Sequence, residues 1–307
     1  MSKILIATEK PFASAAVDQI KNILEGAGHN VAKLEKYSDK KQLIDAVSDA
    51  EAVIIRSDKI DKEVIENAKK LKIVVRAGAG YDNVELDAAT QNGVVVMNTP
   101  GQNSNAVAEL AFGMMVYMAR KKFNGSSGTE LRSKKLGIHA YGYIGKLVAQ
   151  IAKGFGMEIY AFDPFISEEK IKVDGVIPVK SAEELYKIAQ YVSLHIPATA
   201  ETKNSIDAKL LSLMPKGATL VNTARKEVIN EAGLLKVFAD RDDFCYLTDV
   251  APACASELES KYTDRYYATP KKMGAQTAEA NYNAGVAAAN QIVNFLKNGD
   301  VKFQVNK

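Results

Sequence analysis

Four short aliphatic runs, "KILIATE" (3–9), "AVIIRS" (52–57), "KIVVRAG" (72–78) and "VVVMNT" (94–99), constrain the fold of this chain more than any other feature. Each is rich in β-branched residues and apolar at consecutive rather than alternate positions. A strand that is apolar on both faces must be covered on both faces, as in a parallel sheet flanked by helices. Helical patterns at 13–26, 40–48 and 61–70 lie between the runs. The first hundred residues therefore read as an α/β unit.

A long helical segment, "NSNAVAELAFGMMVYMARKK" (103–122), comes next, then polar "FNGSSGTELRSKK", which reads as the internal linker. The alternation then restarts. Strands are expected at 136–141, 157–163, 191–196, 218–223 and 244–249, with helices at 143–155 and 231–239. A terminal helix is expected at about 276–298, with Ala278, Tyr282, Val286, Ala289, Val293 and Leu296 on its packed face. A chain of 307 residues suits two domains. The terminal helix follows the second sheet and is placed to return to the first.

Composition narrows the functions. Net charge is +3 and the Lys-Lys pairs are dispersed, so no basic stripe argues for nucleic acid. No apolar run reaches the ~18 residues of a membrane helix. Cys245 and Cys254 form neither a disulfide framework nor a metal-ligand spacing, and no metal is expected. The chain enters a strand at once, without a cleavable signal, so a cytoplasmic setting is the expectation.

Residues 136–145, "LGIHAYGYIG", precede a helix and a strand that ends in "YAFDP". This order of strand, tight turn, helix start and second strand with a terminal acid is the dinucleotide-binding arrangement. Gly142 lets the backbone approach a pyrophosphate, and Gly145 lets the helix pack closely on the strand. The helix start at Tyr143 and Ile144 offers free N–H groups and positive dipole to phosphates. Asp163, 18 residues after Gly145, is placed to accept from ribose hydroxyls and to repel a 2′-phosphate, which favours NAD over NADP. The first glycine of the pattern is replaced by Ala140.

Three longer segments carry a family resemblance. They are "IVVRAGAGYDNVELDAATQNGVVVMNTPGQNSNAVAEL" (73–110), "HIPATAET" (195–202) and "VNTARKEVINEAGLL" (221–235). Through them the chain resembles the D-isomer-specific 2-hydroxyacid dehydrogenases over essentially its whole length. The resemblance implies an α/β fold of two doubly wound domains. A Rossmann NAD domain (99–277) would be inserted in a discontinuous flavodoxin-like substrate domain (1–98 and 278–307), with a hinged cleft between them. It further implies a homodimer through the NAD domain. It assigns His195, Pro197, Thr202, Thr223 and Ala224 to the cofactor, and Asp249 to its carboxamide. Many relatives carry a C-terminal regulatory domain for which this chain has no room. The stretch between Ala119 and Gly128 is shorter than in longer relatives.

The family uses an arginine, a glutamate and a histidine. Arg225 matches the arginine and follows a strand, where its guanidinium can bond a carboxylate and the C2 oxygen and stabilise negative charge there. At the glutamate offset, five residues after Asp249, stands Cys254. At the histidine offset in "TPKKMG" stands Lys271, with Lys272 as the alternative. The two changes are consistent with each other, because a neighbouring carboxylate would hold a lysine further from neutrality. Partial burial of Lys271 and the nearby cations Lys272 and Arg225 are expected to move it the other way. His29 is expected at the surface in a helix-to-strand turn, and His139 in the first strand of the NAD domain, pointing into or beside the sheet.

Cations at strand ends suit a phosphorylated 2-hydroxy or 2-keto acid. Arg56, Lys59 and Arg76 lie at or just after strand ends of the first domain. Gly78, Ala79 and Gly80 offer backbone N–H groups to a carboxylate, and Asn103 and Lys272 match further substrate contacts. The expected activity is NAD-dependent oxidation of such an acid. An unphosphorylated 2-hydroxy acid, or a non-catalytic NAD-binding role, are the alternatives.

Overall fold

The computed structural model describes residues 1–306. It divides into two compact units, Met1–Asn103 with the chain from Gln276 onward, and Ser104–Ala275. These divisions differ by a few residues from 98/99 and 277/278, because the long helix that begins at Ser104 is the first element of the second unit.

The first unit holds β1 (Lys3–Thr8), β2 (Asn30–Glu35), β3 (Ala52–Ile55), β4 (Ile73–Arg76) and β5 (Val95–Asn98). They form one parallel sheet in the order β2-β1-β3-β4-β5. Period-two geometry sends alternate side chains to opposite faces. Ile4, Ile6, Ile54, Val75 and Met97 join one core, and Leu5, Ala7, Val53, Ile55 and Val74 the other. Helices α1 (Ser14–Gly26), α2 (Lys40–Val47), α3 (Lys62–Asn67) and α4 (Leu86–Gln91) connect the strands. Asp39 and Asp61 cap α2 and α3, accepting from the N–H groups of Lys41 and Val64.

The terminal helix (Ala278–Asn298) belongs to this unit and matches the expected face in its second half, where Ala289 is buried and Val293 and Leu296 pack against the core. In its first half the buried residues are Ala280, Ala284 and Gly285, whereas Tyr282 is 37% exposed and Ala278 is exposed. Close approach to α1 explains this: a Cβ on Gly285 would come within 2.7 Å of Ile20 Cδ1. Small residues make that part of the face. Beyond the helix, Gln304 bridges antiparallel to Met97 and Val305 N–H donates to Val96 O at 2.9 Å. The tail thus covers the free edge of β5, a device that blunts an edge strand.

In the second unit, β6 (Lys135–His139), β7 (Glu158–Phe162), β8 (Ile177–Pro178), β9 (Tyr191–Leu194), β10 (Thr219–Asn222), β11 (Cys245–Thr248) and β12 (Tyr266–Ala268) are all parallel. Their order is β12-β11-β10-β9-β6-β7-β8, the doubly wound arrangement with its reversal between β6 and β9. Helices α5 (Ser104–Ala119), α6 (Tyr143–Gly154), α7 (Glu168–Val173), α8 (Ala182–Ile188), α9 (Ala208–Ser212), α10 (Glu231–Asp240) and α11 (Ala255–Tyr262) cover the faces. The segment read as a linker is internal to this unit. Leu131 is buried in the same core as Phe112 and Met115 of α5, and Thr129 N–H donates to Ala119 O at 2.8 Å.

Asn306 is 4% exposed and makes three bonds: Oδ1 accepts from Val96 N–H at 2.7 Å, and Nδ2 donates to Val94 O and Thr90 Oγ1. Asn306→Ala should therefore destabilise the first unit by about 1–3 kcal/mol, the usual cost of leaving buried partners unpaired. Urea unfolding followed by circular dichroism would read the loss, and an unchanged midpoint would show the tail is not structural.

Candidate active site

In parallel sheets, ligands bind beyond the C-terminal strand ends at the point where strand order reverses. In the second unit that point is the pair of loops after β6 and β9. The β6 loop turns at Ala140, whose φ of +79° is a left-handed conformation that costs a non-glycine residue about 1–2 kcal/mol. The degraded glycine motif therefore keeps the glycine backbone without the glycine. Gly145 is required by contact: a Cβ there would collide with Ala140 O and approach Ile138 Cγ2 to 3.1 Å. Gly142 is different, since a Cβ there would meet nothing within 4 Å and the space before it stays open. No side chain caps α6, so the N–H groups at Tyr143 and Ile144 keep their donor capacity for an anion.

Asp163 follows β7 and holds this loop. Its Oδ2 accepts from Tyr141 N–H at 2.7 Å and its Oδ1 from Phe165 N–H at 2.8 Å. Each oxygen retains a second lone pair for a ribose hydroxyl. Beside it opens a cavity of 550 Å³, lined by Ala140, Asp163, Ile196, Pro197 and Thr202 among others. Thr202 closes the β9 loop, with Oγ1 donating to Pro197 O at 2.6 Å. The volume suits the adenosine end of a dinucleotide.

Two histidines flank the same turn. His139 is buried at the end of β6, and burial pushes its imidazole down to about 4, against a smaller opposing pull from Asp163. Its Nδ1 lies 3.3 Å from the Tyr186 hydroxyl. His195, after β9, is half-buried as a residue, but its Nδ1 is enclosed without a hydrogen-bond partner. Burial first, then His139, lowers it to about 3. Thr223 Oγ1 is likewise buried and unpartnered at the end of β10, beside buried Ala224. Unsatisfied buried polar atoms at strand ends fit a site completed by a ligand.

Arg225 and Lys271 follow β10 and β12, the two strands that flank β11. Asn222, the last residue of β10, is fully buried and shapes the first turn. Its Nδ2 donates to Arg225 O at 2.9 Å and its Oδ1 accepts from Ala224 N–H at 3.0 Å. Arg225 is half-buried, with Nη1 donating to Ala224 O at 3.0 Å. The Lys271 turn is held by Asp249, whose Oδ1 accepts from Thr269 Oγ1 at 2.8 Å and Met273 N–H at 2.7 Å. Its Oδ2 accepts from Gly274 N–H at 2.8 Å.

One expectation changes here. Lys271 and Lys272 are both exposed, so the partial burial expected of Lys271 is absent. Asp249 is 1% exposed and its carboxylate accepts three bonds from the turn, with Oδ2 taking only one of them. Asn222 and Thr269 went unnoticed in the sequence, although each ends or follows a strand beside a residue singled out for chemistry.

In the first unit the strand order reverses between β1 and β3, and another buried carboxylate joins those two loops. Asp58, 2% exposed, accepts from Glu9 N–H at 2.6 Å, Tyr37 OH at 2.8 Å and Arg56 N–H at 3.0 Å. Arg56 itself is largely committed: Nη1 donates to Lys10 O and Pro11 O, both at 2.9 Å, and Nη2 to Asn281 Oδ1. The guanidinium expected to meet substrate is therefore a staple between loops. Arg76 Nε donates to Arg56 O at 3.0 Å, and the Lys59 side chain is 79% exposed. After β4, Gly78 adopts φ +148°, and the Arg76 guanidinium lies where a Cβ on that glycine would stand. Among the described residues the N–H groups of Gly78, Ala79 and Gly80 meet no internal acceptor, and Asn103 is half-buried. No group of three or more metal-ligating side chains occurs among the described residues, and no helix is long and apolar enough to cross a membrane.

The profile of the D-isomer specific 2-hydroxyacid dehydrogenase catalytic domain matches residues 5–306. The chain belongs to that family. It is 51% identical to the NAD+-bound 3-phosphoglycerate dehydrogenase of Entamoeba histolytica, covering 100% of this chain and 99% of that one with a TM-score of 0.89. D-3-phosphoglycerate dehydrogenase of Methanocaldococcus jannaschii is 36% identical over 84% of this chain, and that of Archaeoglobus fulgidus 34% over 99%. The match spans 52% and 59% of those two relatives, so the chain covers little more than half their length.

The histidine pair gives a pH dependence. Both rings are neutral in the folded unit and take up protons once unfolded, near 6.5. Wherever the unfolded state binds more protons, stability rises with pH. Melting temperature should therefore fall as pH drops from about 6.5 toward 5, and His139→Gln should flatten that slope. Equal slopes for the two proteins in scanning calorimetry would show that His139 is not the group responsible.

Proposed function

We propose that this chain catalyses the NAD-dependent oxidation of D-3-phosphoglycerate to 3-phosphohydroxypyruvate and the reverse reduction, the entry to phosphorylated serine synthesis. The observation that carries this reading is the 51% identity, over both whole chains, to the Entamoeba histolytica enzyme. The open face of Gly142, the uncapped α6 and the Asp163 carboxylate support NAD as the dinucleotide. The same carboxylate disfavours a 2′-phosphate by charge. His195, Pro197, Thr202, Thr223 and Ala224 complete its proposed surroundings. NAD, when bound, supplies the hydride acceptor.

The chain's own groups divide the remaining work. Arg225 bonds the substrate carboxylate and C2 oxygen, fixing the substrate and stabilising charge on that oxygen as the C2 bond order changes. Lys271 Nζ takes the C2 hydroxyl proton in oxidation, and its ammonium returns a proton to the C2 oxygen in reduction. The free N–H groups of Gly78, Ala79 and Gly80 receive the carboxylate. Lys59, Arg76 and Lys272 supply positive charge for the phosphate, with Asn103 as a further contact.

NADH oxidation with 3-phosphohydroxypyruvate tests the reading directly. Wild type should turn over, and Lys271→Ala should lose about 100-fold or more in kcat, the usual contribution of acid–base catalysis, with NADH affinity retained. Lys272→Ala should lose far less. Near-normal turnover by Lys271→Ala would remove Lys271 from the mechanism. The internal use of Arg56 favours a second reading, an unphosphorylated acid such as hydroxypyruvate or glyoxylate. Comparable kcat/KM on those acids would select it.

We also propose that the chain forms a homodimer through the Ser104–Ala275 unit, as the resemblance implies. Phe123, 64% exposed on that unit, supports an unmet apolar contact. Sedimentation equilibrium should give twice the 33.3 kDa chain mass, and Phe123→Asp should shift the species toward one chain. A monomeric wild type at micromolar concentration would end this proposal.

A further inference from the structure

We infer that Tyr141 is a positioning residue for the dinucleotide, clamping the turn after β6 in a left-handed form that a glycine would adopt freely. The inference rests on the cofactor's phosphates meeting that turn and the start of α6. Ala140 stands at the first glycine position of the motif and has φ +79°. For a residue with a Cβ this conformation carries a penalty of about 5- to 30-fold in population. A glycine carries almost none. The surroundings must therefore hold Ala140 there before cofactor arrives.

Three hydrogen bonds and one close contact supply the hold. On the strand side, Ala140 N–H donates to Phe162 O at 2.8 Å. On the helix side, Tyr141 N–H donates to Asp163 Oδ2 at 2.7 Å, and the Tyr141 hydroxyl donates to Asp174 Oδ2 at 3.1 Å. The Ala140 carbonyl lies against Gly145, where a Cβ would collide with that oxygen. The Tyr141 side chain is fully buried in one core with Ile138, Val148, Ile171 and Val176. Asp174 closes α7, its N–H donating to Ile171 O at 3.2 Å, so the acceptor is anchored to the same core. Burial first, then the charge and hydrogen bond of Asp174, raise the Tyr141 phenol and keep it a donor.

A return of Ala140 to negative φ would turn the peptide that joins it to Tyr141. The Tyr141 N–H would then leave Asp163, and Gly142 at the entry to α6 would move with it. The phenol opposes that motion from the far end of the ring, through the main chain of its own residue. Phenylalanine would fill nearly the same core volume but has no hydroxyl to give Asp174.

The test is a double-mutant cycle in the full chain, with Tyr141→Phe made in the wild-type and the Ala140→Gly backgrounds. NADH affinity is read by fluorescence titration. In the wild-type background Tyr141→Phe should raise the dissociation constant about 5- to 10-fold, because a smaller share of the loop is ready to bind. In the Ala140→Gly background the same change should cost no more than about twofold, since glycine needs no clamp. Asp174→Ala, made in both backgrounds, should reproduce this pattern from the other end of the bond. Asp174→Asn, which keeps an acceptor, should fall closer to wild type. If Tyr141→Phe does not fold, the Asp174 variants decide the question alone. Amide exchange at positions 141 and 142 in the ligand-free protein should accelerate in Tyr141→Phe, and should not accelerate when that change is added to Ala140→Gly. Equal losses of affinity in the two backgrounds would overturn the inference, as would unchanged affinity in Tyr141→Phe. A wild type without NADH affinity would refute the cofactor reading, while the exchange rates would still decide the clamp.

Discussion

Two buried carboxylates, Asp58 and Asp249, fix the loops on which the chemistry of this chain depends. Parallel strands all end on the same edge, so each sheet leaves a row of backbone groups there with no further strand to pair with. Burying an anion at such an edge is costly unless hydrogen bonds compensate it. Each aspartate receives three donors: Glu9 N–H, Tyr37 OH and Arg56 N–H for Asp58, and Thr269 OH, Met273 N–H and Gly274 N–H for Asp249. The tie acts in both directions, since burial and the Asp58 charge also raise the Tyr37 phenol and keep it a donor. The same solution thus appears in both units, where otherwise unpaired loop amides meet the strand ends.

Much of the architecture was legible because fully buried parallel strands leave an unusual trace, consecutive aliphatic residues. β1, β3, β4 and β5 carry it. β2 does not: it is an edge strand whose burial runs exposed, intermediate, intermediate, exposed, so "NVAKLE" has no continuous apolar run. β8 has two residues and β12 three, too short for any periodicity. The terminal helix was recognisable as a helix, but its first half was misread, since alanine and glycine mark a close-packed face less visibly than Tyr282 marks an apolar one. The candidate site divides along the same line. Residues named by a motif, such as Gly142, Gly145 and Asp163, sit at the start of α6 and just after β7. Thr269 and Asp58 act through partners 20 or more residues away, Thr269 with Asp249 and Asp58 with Tyr37. A polar residue at a strand end looks the same in sequence whether it faces water or three buried donors.

The place of the family glutamate shows why the lysine cannot be understood from its own turn alone. Cys254 begins α11, where Glu231 accepts from the N–H groups of Ala253 and Cys254 at 2.8 and 2.9 Å. Burial first, and then the charge and hydrogen bond of Glu231, push the Cys254 thiol up to about 11, so it remains a neutral group. The nearest acid further along, Glu257, is paired with Lys261 at 2.8 Å. Cys254 itself therefore carries no charge, and the anion beside it, Glu231, is held by the backbone at the start of α11. A histidine needs such an anion to hold a proton near neutrality, whereas an ammonium holds one without help. What an exposed lysine lacks is a fixed location, because its long side chain has many rotamers to lose. A rigid backbone turn removes part of that freedom before substrate arrives. The family's carboxylate–histidine pair uses an acid to tune a base. Here the acid at the next strand end from Arg225 holds the main chain on either side of the lysine pair.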